Sequence, residues 1–110
     1  MQRTPAHRRV LRQLLGATRG GPTRIRILDL IRDRPQNTNQ IALGLHLDYK
    51  TVEHHIRVLR ENQVIGAQTQ GYGAAYTLTL ETEGELDEFE RIANDIFGPA
   101  RASRHVEGAT

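Results

Sequence analysis

Hydrophobic positions in the first half of the chain recur with the period of a helix. They predict a first helix over residues 7–15 and a second that begins at Pro22-Thr23. A polar, capping-type run at residues 37–40 predicts a third helix of about eight residues, and Asp48 is a suitable cap for a fourth helix that ends near Asn62. Two short helices joined by a tight turn are the layout of a helix-turn-helix.

Beyond the fourth helix the pattern changes to the alternation that is typical of strands. Strands over 64–69 and 75–80, with glycines in the linker between them, predict a β-hairpin. A hairpin that follows a helix-turn-helix is a wing. Thr82 and Glu85 have the spacing of a capping box, which predicts the start of a fifth helix that ends at Gly98-Pro99. The predicted fold is mainly α with a small β-hairpin, a winged helix-turn-helix in the order α-α-α-α-β-β-α.

At 110 residues the chain has room for one domain with a small core. We expect an N-terminal basic helix over 1–21 that is part of a dimer interface, a winged helix-turn-helix DNA-binding domain over 22–81, a C-terminal dimerisation helix over 82–98 and a flexible tail over 99–110. The chain has no cysteine, which excludes disulfides and cysteine-ligated metals. Because no apolar run approaches about 18 residues, we expect a cytoplasmic protein without a membrane partner.

The small net charge of +2 conceals a strong asymmetry. Residues 1–60 contain 12 basic and 4 acidic side chains, whereas residues 61–110 contain 3 basic and 9 acidic ones. The half that contains the predicted helix-turn-helix therefore has a balance of +8 and the other half a balance of −6. This distribution indicates that the amino-terminal half meets a polyanion while the other half faces away from it.

Several segments together resemble one family. They are Asn39-Gln40-Ile41-Ala42, Asp48-Tyr49-Lys50-Thr51-Val52, His54-His55-Ile56-Arg57-Val58-Leu59 and Asn62-Gln63-Val64-Ile65, and they are similar to the pattern of ArsR-type regulators. Thr23-Arg24 and the run Tyr72-Gly73-Ala74-Ala75-Tyr76 resemble the archaeal branch in particular. The resemblance implies a homodimeric DNA-binding transcription regulator whose fourth helix enters the major groove of double-stranded DNA. The cysteines of the metal-sensing members are absent, so metal sensing is not expected, and no cofactor or small-molecule effector is indicated.

The fourth helix contains the main candidates for DNA contact. With Val52, Ile56 and Leu59 facing inward, Lys50, His54 and Arg57 form an outer stripe of hydrogen-bond donors suited to base edges or phosphates. An ordinary solvated face is the alternative. The complete set of candidate DNA-binding residues is Thr23, Arg24, Thr38, Asn39, Tyr49, Lys50, Thr51, His54, Arg57, Gln70 and Tyr72.

The two adjacent histidines do not predict a metal site. His54 and His55 project about 100° apart on a helix and cannot ligate one ion from the same face. We expect His55 to be a partly buried, hydrogen-bonded residue at the base of the helix-turn-helix.

The terminal helices have more apolar surface than a lone helix on a small domain requires. We predict that they pair with a symmetry mate in a homodimer, and the alternative is that they only cover the core of their own subunit. The candidate interface residues are Leu11, Leu14, Leu15, Leu86, Phe89, Ile92, Ala93, Ile96 and Phe97.

An enzyme is not expected and no catalytic residue is predicted, because the chain shows no nucleophile beside a base and no glycine-rich phosphate loop. The alternative to a DNA-binding regulator is a winged-helix module that docks onto another protein and has no specific DNA site of its own, since a fold does not determine a function.

Overall fold

The computed structural model describes residues 5–68 and 73–101. Its elements are α1 (Pro5–Leu11), extended by a π-helical turn (Arg12–Gly16), then α2 (Gly21–Asp33), α3 (Thr38–Leu45), α4 (Tyr49–Glu61), β1 (Ile65–Ala67), β2 (Tyr76–Leu78), α5 (Leu80–Glu83) and α6 (Leu86–Phe97). The strands are antiparallel, with Ile65 opposite Leu78. The prediction of a mainly helical winged helix-turn-helix is confirmed.

Local caps define the helix-turn-helix as predicted. The Asn37 side chain accepts a hydrogen bond from the Gln40 amide, and the Gln40 side chain accepts one from the Asn37 amide, so that α3 begins with a complete capping box. His46 ends α3 in the left-handed conformation with φ of 58°, which makes the turn tight. Asp48 then caps α4 by accepting from the Thr51 amide over 3.0 Å.

The predicted capping box at Thr82 and Glu85 is wrong. Thr79 caps α5 by accepting from the Thr82 amide, and α6 begins after Glu85 without a side-chain cap. The Thr82 hydroxyl is fully buried and donates to the Val64 carbonyl over 2.8 Å, and this carbonyl also accepts from the Thr79 amide. Long-range hydrogen bonding therefore uses the side chain that the local pattern had assigned to a cap.

The wing is shorter than predicted within the described residues. Each strand has three residues instead of six, although the Gln68 amide still donates to the Ala75 carbonyl beyond the ladder. Thr69 and residues 70–72 of the predicted linker 70–73 lie outside the described residues. Of the predicted flexible tail, 102–110 also lie outside them, whereas Arg101 pairs with Asp29 on α2.

One hydrophobic core unites the terminal helices α1 and α6 with the helix-turn-helix. Its members are the buried side chains Leu11, Leu15, Ile25, Ile27, Leu28, Ile31, Ile41, Ala42, Val52, Ile56, Leu59, Val64, Ile65, Phe89, Ile92 and Ala93. Helix α6 packs against α1, the π-helical turn and α2. Since burial of each large apolar side chain is worth about 1.5–3 kcal/mol, the terminal helices stabilise the same unit that contains α4.

Ion pairs fasten the two terminal helices together. Arg8 contacts Glu85 over 3.0 Å, and the Arg12 Nε donates to Glu88 over 2.8 Å. Both carboxylates are almost completely buried. We call these four residues the terminal clamp. Within the described part of the chain, no helix is both long and apolar enough to cross a membrane.

Candidate nucleic-acid interface

Helix α4 is amphipathic, with an apolar face toward the core and a polar face toward solvent. Val52, Ile56 and Leu59 are buried in the core, as the sequence predicts. Lys50, His54 and Arg57 are exposed on the outer side, at positions i, i+4 and i+7. The core therefore fixes the rotation of α4 about its axis, and the three donors are presented to solvent as one stripe.

Two residues of the stripe are hydrogen-bonded to each other. The Arg57 Nη2 lies 3.2 Å from the His54 Nδ1. Because a guanidinium can only donate, Nδ1 is the acceptor, and a neutral His54 then carries its proton on Nε2. That nitrogen is free of the intramolecular bond and can donate to a guanine or thymine acceptor in a major groove.

The first turns of α3 and α4 lie beside a groove that runs to the base of the wing. Thr38, Asn39 and Tyr49 line it together with Arg57. Asn39 and Tyr49 are exposed, whereas Thr38 is buried and has little side-chain surface for a ligand. Thr51 is exposed near the start of α4, and its amide is occupied by the Asp48 cap.

Arg60 was missed by the sequence interpretation. Its guanidinium carbon lies 5.7 Å from the centroid of the Tyr76 ring on β2, in a cation–π arrangement. Arg60 also lines the groove beside Arg57. A signal for it was present, because Arg60 follows Tyr49 by 11 positions and Ile56 by four, which places all three on adjacent parts of one helical face. The structure thus adds a cation at the base of the wing.

Arg24 lies inside the subunit and not on the surface where DNA contact was expected. It is 8% exposed, and its guanidinium donates to His55, the Leu14 carbonyl and the Thr18 hydroxyl. These partners account for its orientation. Thr23 is only half-buried. Gln70 and Tyr72, the wing candidates, lie outside the described residues.

His55 has the environment expected from the sequence. It is 8% exposed and accepts a hydrogen bond from the Arg24 Nε at its Nδ1 over 3.2 Å. Burial lowers the pKa of His55, and the positive charge of Arg24 lowers it further. Among the described residues, no three potential metal ligands lie close enough together to hold an ion.

The candidate dimer residues fall into two groups. Leu11, Leu15, Phe89, Ile92 and Ala93 are buried in the core of their own subunit, so their side chains already have partners there. Ile96 and Phe97 are about two-fifths exposed at the end of α6, and Leu14 and Leu86 are intermediate.

A protein-family model matches the part of the chain that contains the helix-turn-helix. Residues 21–65 match the family model of bacterial regulatory proteins of the arsR family. The matched segment runs from the first residue of α2 to the first residue of β1. The part of the chain that contains the helix-turn-helix is therefore similar to the arsR family. A search of curated proteins gave no significant match.

Solved structures show a similar winged helix-turn-helix fold over most of the chain. Reduced HlyU from Vibrio cholerae has a TM-score of 0.60 and 18% identity, and the alignment covers 78% of this chain and 88% of HlyU. The homodimeric winged helix-turn-helix DNA-binding domain Mb0332 from Mycobacterium bovis, described as a possible ArsR-family transcriptional regulator, has a TM-score of 0.55 and 18% identity. That alignment covers 88% of this chain and 92% of Mb0332. At this level of identity the likeness establishes the fold.

Proposed function

We propose that the protein is a DNA-binding transcription regulator of the ArsR type that acts as a homodimer in the cytoplasm, with α4 in the major groove of double-stranded DNA. The observation that carries the proposal is the exposed stripe of Lys50, His54 and Arg57 on a helix whose opposite face is fixed by the core. A major groove about 12 Å wide admits such a helix, and the three side chains supply donors for base acceptors and phosphates. The archaeal affiliation stays a prediction.

The groove beside the stripe extends the proposed contact surface. Asn39 and Tyr49 line this groove and would contact one phosphate strand, and Arg60 offers a cation near the wing. The amides at the start of α3 add the positive end of a helix dipole. Phosphate contacts set the register of a protein on DNA, while the stripe supplies sequence discrimination.

The proposed regulator binds DNA as a homodimer. The related Mb0332 domain is homodimeric, and Ile96 and Phe97 give α6 an apolar surface for a second copy. A two-fold axis would present two α4 helices to half-sites about one helical turn apart. With about four to five phosphate contacts in each subunit, the slope of log affinity against log salt would be about −7 to −9.

The test is selection of bound duplexes from a random pool, followed by measurement of affinity for the selected duplex. We expect Lys50→Ala, His54→Ala and Arg57→Ala to weaken binding, each by about 1–3 kcal/mol where a base contact is lost. Arg32→Ala is the charge-matched control for Arg57→Ala, because Arg32 pairs with Glu90 on α6, away from the stripe. The control is expected to bind as the parent does.

Two results would contradict the proposal. If all three stripe variants bind as tightly as the parent, α4 is not the recognition helix. If no duplex is selected even at low salt, while the chain associates with a protein partner in a salt-insensitive way, the winged-helix interaction module is the better description.

A further inference from the structure

Arg24 on α2 joins three other segments of the subunit from within, namely the π-helical turn, the loop that follows it and α4. Its Nη1 donates to the Leu14 carbonyl over 3.1 Å and to the Thr18 hydroxyl over 3.2 Å, and its Nε donates to the His55 Nδ1 over 3.2 Å. Leu14 belongs to the π-helical turn that ends the N-terminal helix, and His55 belongs to α4. One side chain therefore connects the end of the first helix to the proposed recognition helix.

The connection is tightly packed and satisfies groups that would otherwise lack partners. The end of a helix leaves carbonyls without intrahelical donors, and the Leu14 carbonyl receives donors from both Arg24 and Thr18. A Cβ at Gly20 would lie 3.0 Å from both the Arg24 Nη2 and the His55 Cε1. Gly20 therefore packs closely against both side chains.

The direction of the hydrogen bond determines the protonation state of His55. Arginine only donates, so the His55 Nδ1 must present its lone pair to Arg24 Nε, which leaves the imidazole neutral. A second proton on the ring would point an N–H at the Arg24 N–H and place two cations in contact in a buried site. Burial and the charges of Arg24 on α2 and of a protonated His54 on α4 all lower the pKa of His55.

We propose that Arg24 and His55 form a proton-sensitive joint that holds α4 in its DNA-binding orientation, so that protonation of His55 weakens DNA binding. The inference rests on the proposed DNA binding and adds a regulation to it. His55 lies between His54 and Ile56, so a displacement of its ring moves the backbone that carries the stripe. His55 is thus a positioning residue.

The sign of the pH dependence follows directly. Binding is at full strength above the pKa of His55 and is lost as the pH falls through it. If only the neutral form is competent, the affinity falls by as much as about tenfold for each pH unit below that pKa. His54 is a second histidine on the same helix and belongs to the exposed stripe, so its own contribution to DNA binding has to be separated from that of His55.

The experiment therefore uses a His54→Gln background. Affinity for the duplex selected near pH 7.5 is measured from about pH 7.5 to about pH 5, the range in which histidine titrates. The compared proteins are His54→Gln and His54→Gln/His55→Gln, and each affinity is divided by that protein's own value near pH 7.5. We expect His54→Gln to lose about threefold or more on acidification, and the double variant, which has an uncharged acceptor for Arg24, to lose less than half as much.

A third protein separates the hydrogen bond from packing. His55→Leu fills similar space but leaves the Arg24 Nε without an acceptor. We expect it to bind about threefold to tenfold more weakly than His55→Gln near pH 7.5, which corresponds to the net contribution of one typical hydrogen bond. Equal affinities of the two variants would show that the hydrogen bond does not position α4.

Calorimetry provides a readout that does not depend on a substitution at His55. Titration of DNA into the His54→Gln protein near pH 5.5, in two buffers of different ionisation enthalpy, gives the number of protons exchanged. We expect release of up to about one proton for each subunit, because the bound form requires neutral His55. Proton uptake, or equal pH profiles of the single and double variants, would overturn the joint. If the parent binds no duplex near pH 7.5, the proposed function itself fails.

Discussion

Removal of the buried charge on Glu88 tests how the terminal helices are held together. Arg12 and Arg91 both donate to this carboxylate, which is 5% exposed, and they lower the pKa of Glu88 from 4.5 to about 2. At about 1.4 kcal/mol for each tenfold change in proton affinity, the full drop would correspond to about 3 kcal/mol. Both arginine side chains are about half exposed, so water screens them and the expected contribution is about 1–2 kcal/mol.

The change is Glu88→Gln, which retains the shape of the side chain and removes its charge. We expect the free energy of unfolding near pH 7 to fall by about 1–2 kcal/mol. Because the folded-state pKa of Glu88 lies below the unfolded-state value, the stabilisation is complete above about pH 4.5 and is lost as the pH falls toward 2. The parent and the variant should therefore converge in acid.

Urea unfolding followed by circular dichroism, at one fixed protein concentration, measures the difference at about pH 7 and about pH 3. Asp95→Asn is the control, because Asp95 is exposed and contacts the same Arg91 over 3.4 Å. It should cost less than about 0.5 kcal/mol. A Glu88→Gln protein as stable as the parent near pH 7, or a difference that does not shrink in acid, would refute the reasoning.

Three further predictions concern the DNA surface, the dimer and the fold. Arg60→Ala should weaken binding of all duplexes alike and make the salt slope shallower by about 2 for a dimer, and an unchanged slope would exclude a phosphate contact. Phe97→Asp should shift sedimentation toward the monomer, because it places a charge on the apolar end of α6; the same mass as the parent would place the interface elsewhere. Gly21→Ala should lower stability by about 2 kcal/mol or more in urea unfolding, since its Cβ would lie 2.1 Å from the Leu15 carbonyl oxygen; a neutral result would mean that the turn relaxes freely.

The elements that the sequence predicts well are those with local signals. Asn37 and Asp48 cap α3 and α4 within four residues of their own positions, and the period of Val52, Ile56 and Leu59 determines which face of α4 is buried. Short-range rules suffice there because the hydrogen bonds and the packing face are both encoded nearby. The outer stripe follows from the same period.

The features that the sequence does not predict depend on partners far along the chain. Thr82 was assigned to a cap because Glu85 lies three residues later, yet its hydroxyl is used by the Val64 carbonyl, 18 residues earlier. Arg24 was assigned to DNA, yet its partners at Leu14 and His55 are 10 and 31 residues away. No local pattern distinguishes an arginine that reaches outward from one that satisfies buried acceptors.

The ion pairs in the structure change the interpretation of the charge asymmetry between the two halves of the chain. Arg8 and Arg12 contribute to the basic balance of the first half, but in the structure they contact Glu85 and Glu88 from the acidic half. Part of the positive charge of the first half and part of the negative charge of the second half are therefore paired with each other within the subunit. The cations that remain on α4, namely Lys50, Arg57 and Arg60, are the better measure of what the proposed interface offers to a polyanion.

The terminal clamp and the Arg24–His55 joint meet at the first helix. The clamp holds α1 to α6 through Glu85 and Glu88, and the π-helical turn that continues α1 presents the Leu14 carbonyl to Arg24, which in turn holds α4. We expect a falling pH to weaken the Arg24–His55 hydrogen bond before it weakens the ion pairs of Glu88. Burial and the charge of Arg24 lower the pKa of His55 from the ordinary histidine value, whereas Arg91 and Arg12 lower the pKa of the Glu88 carboxyl to about 2. Mild acid should therefore release the recognition helix while the terminal helices, and with them the proposed dimer surface, stay in place.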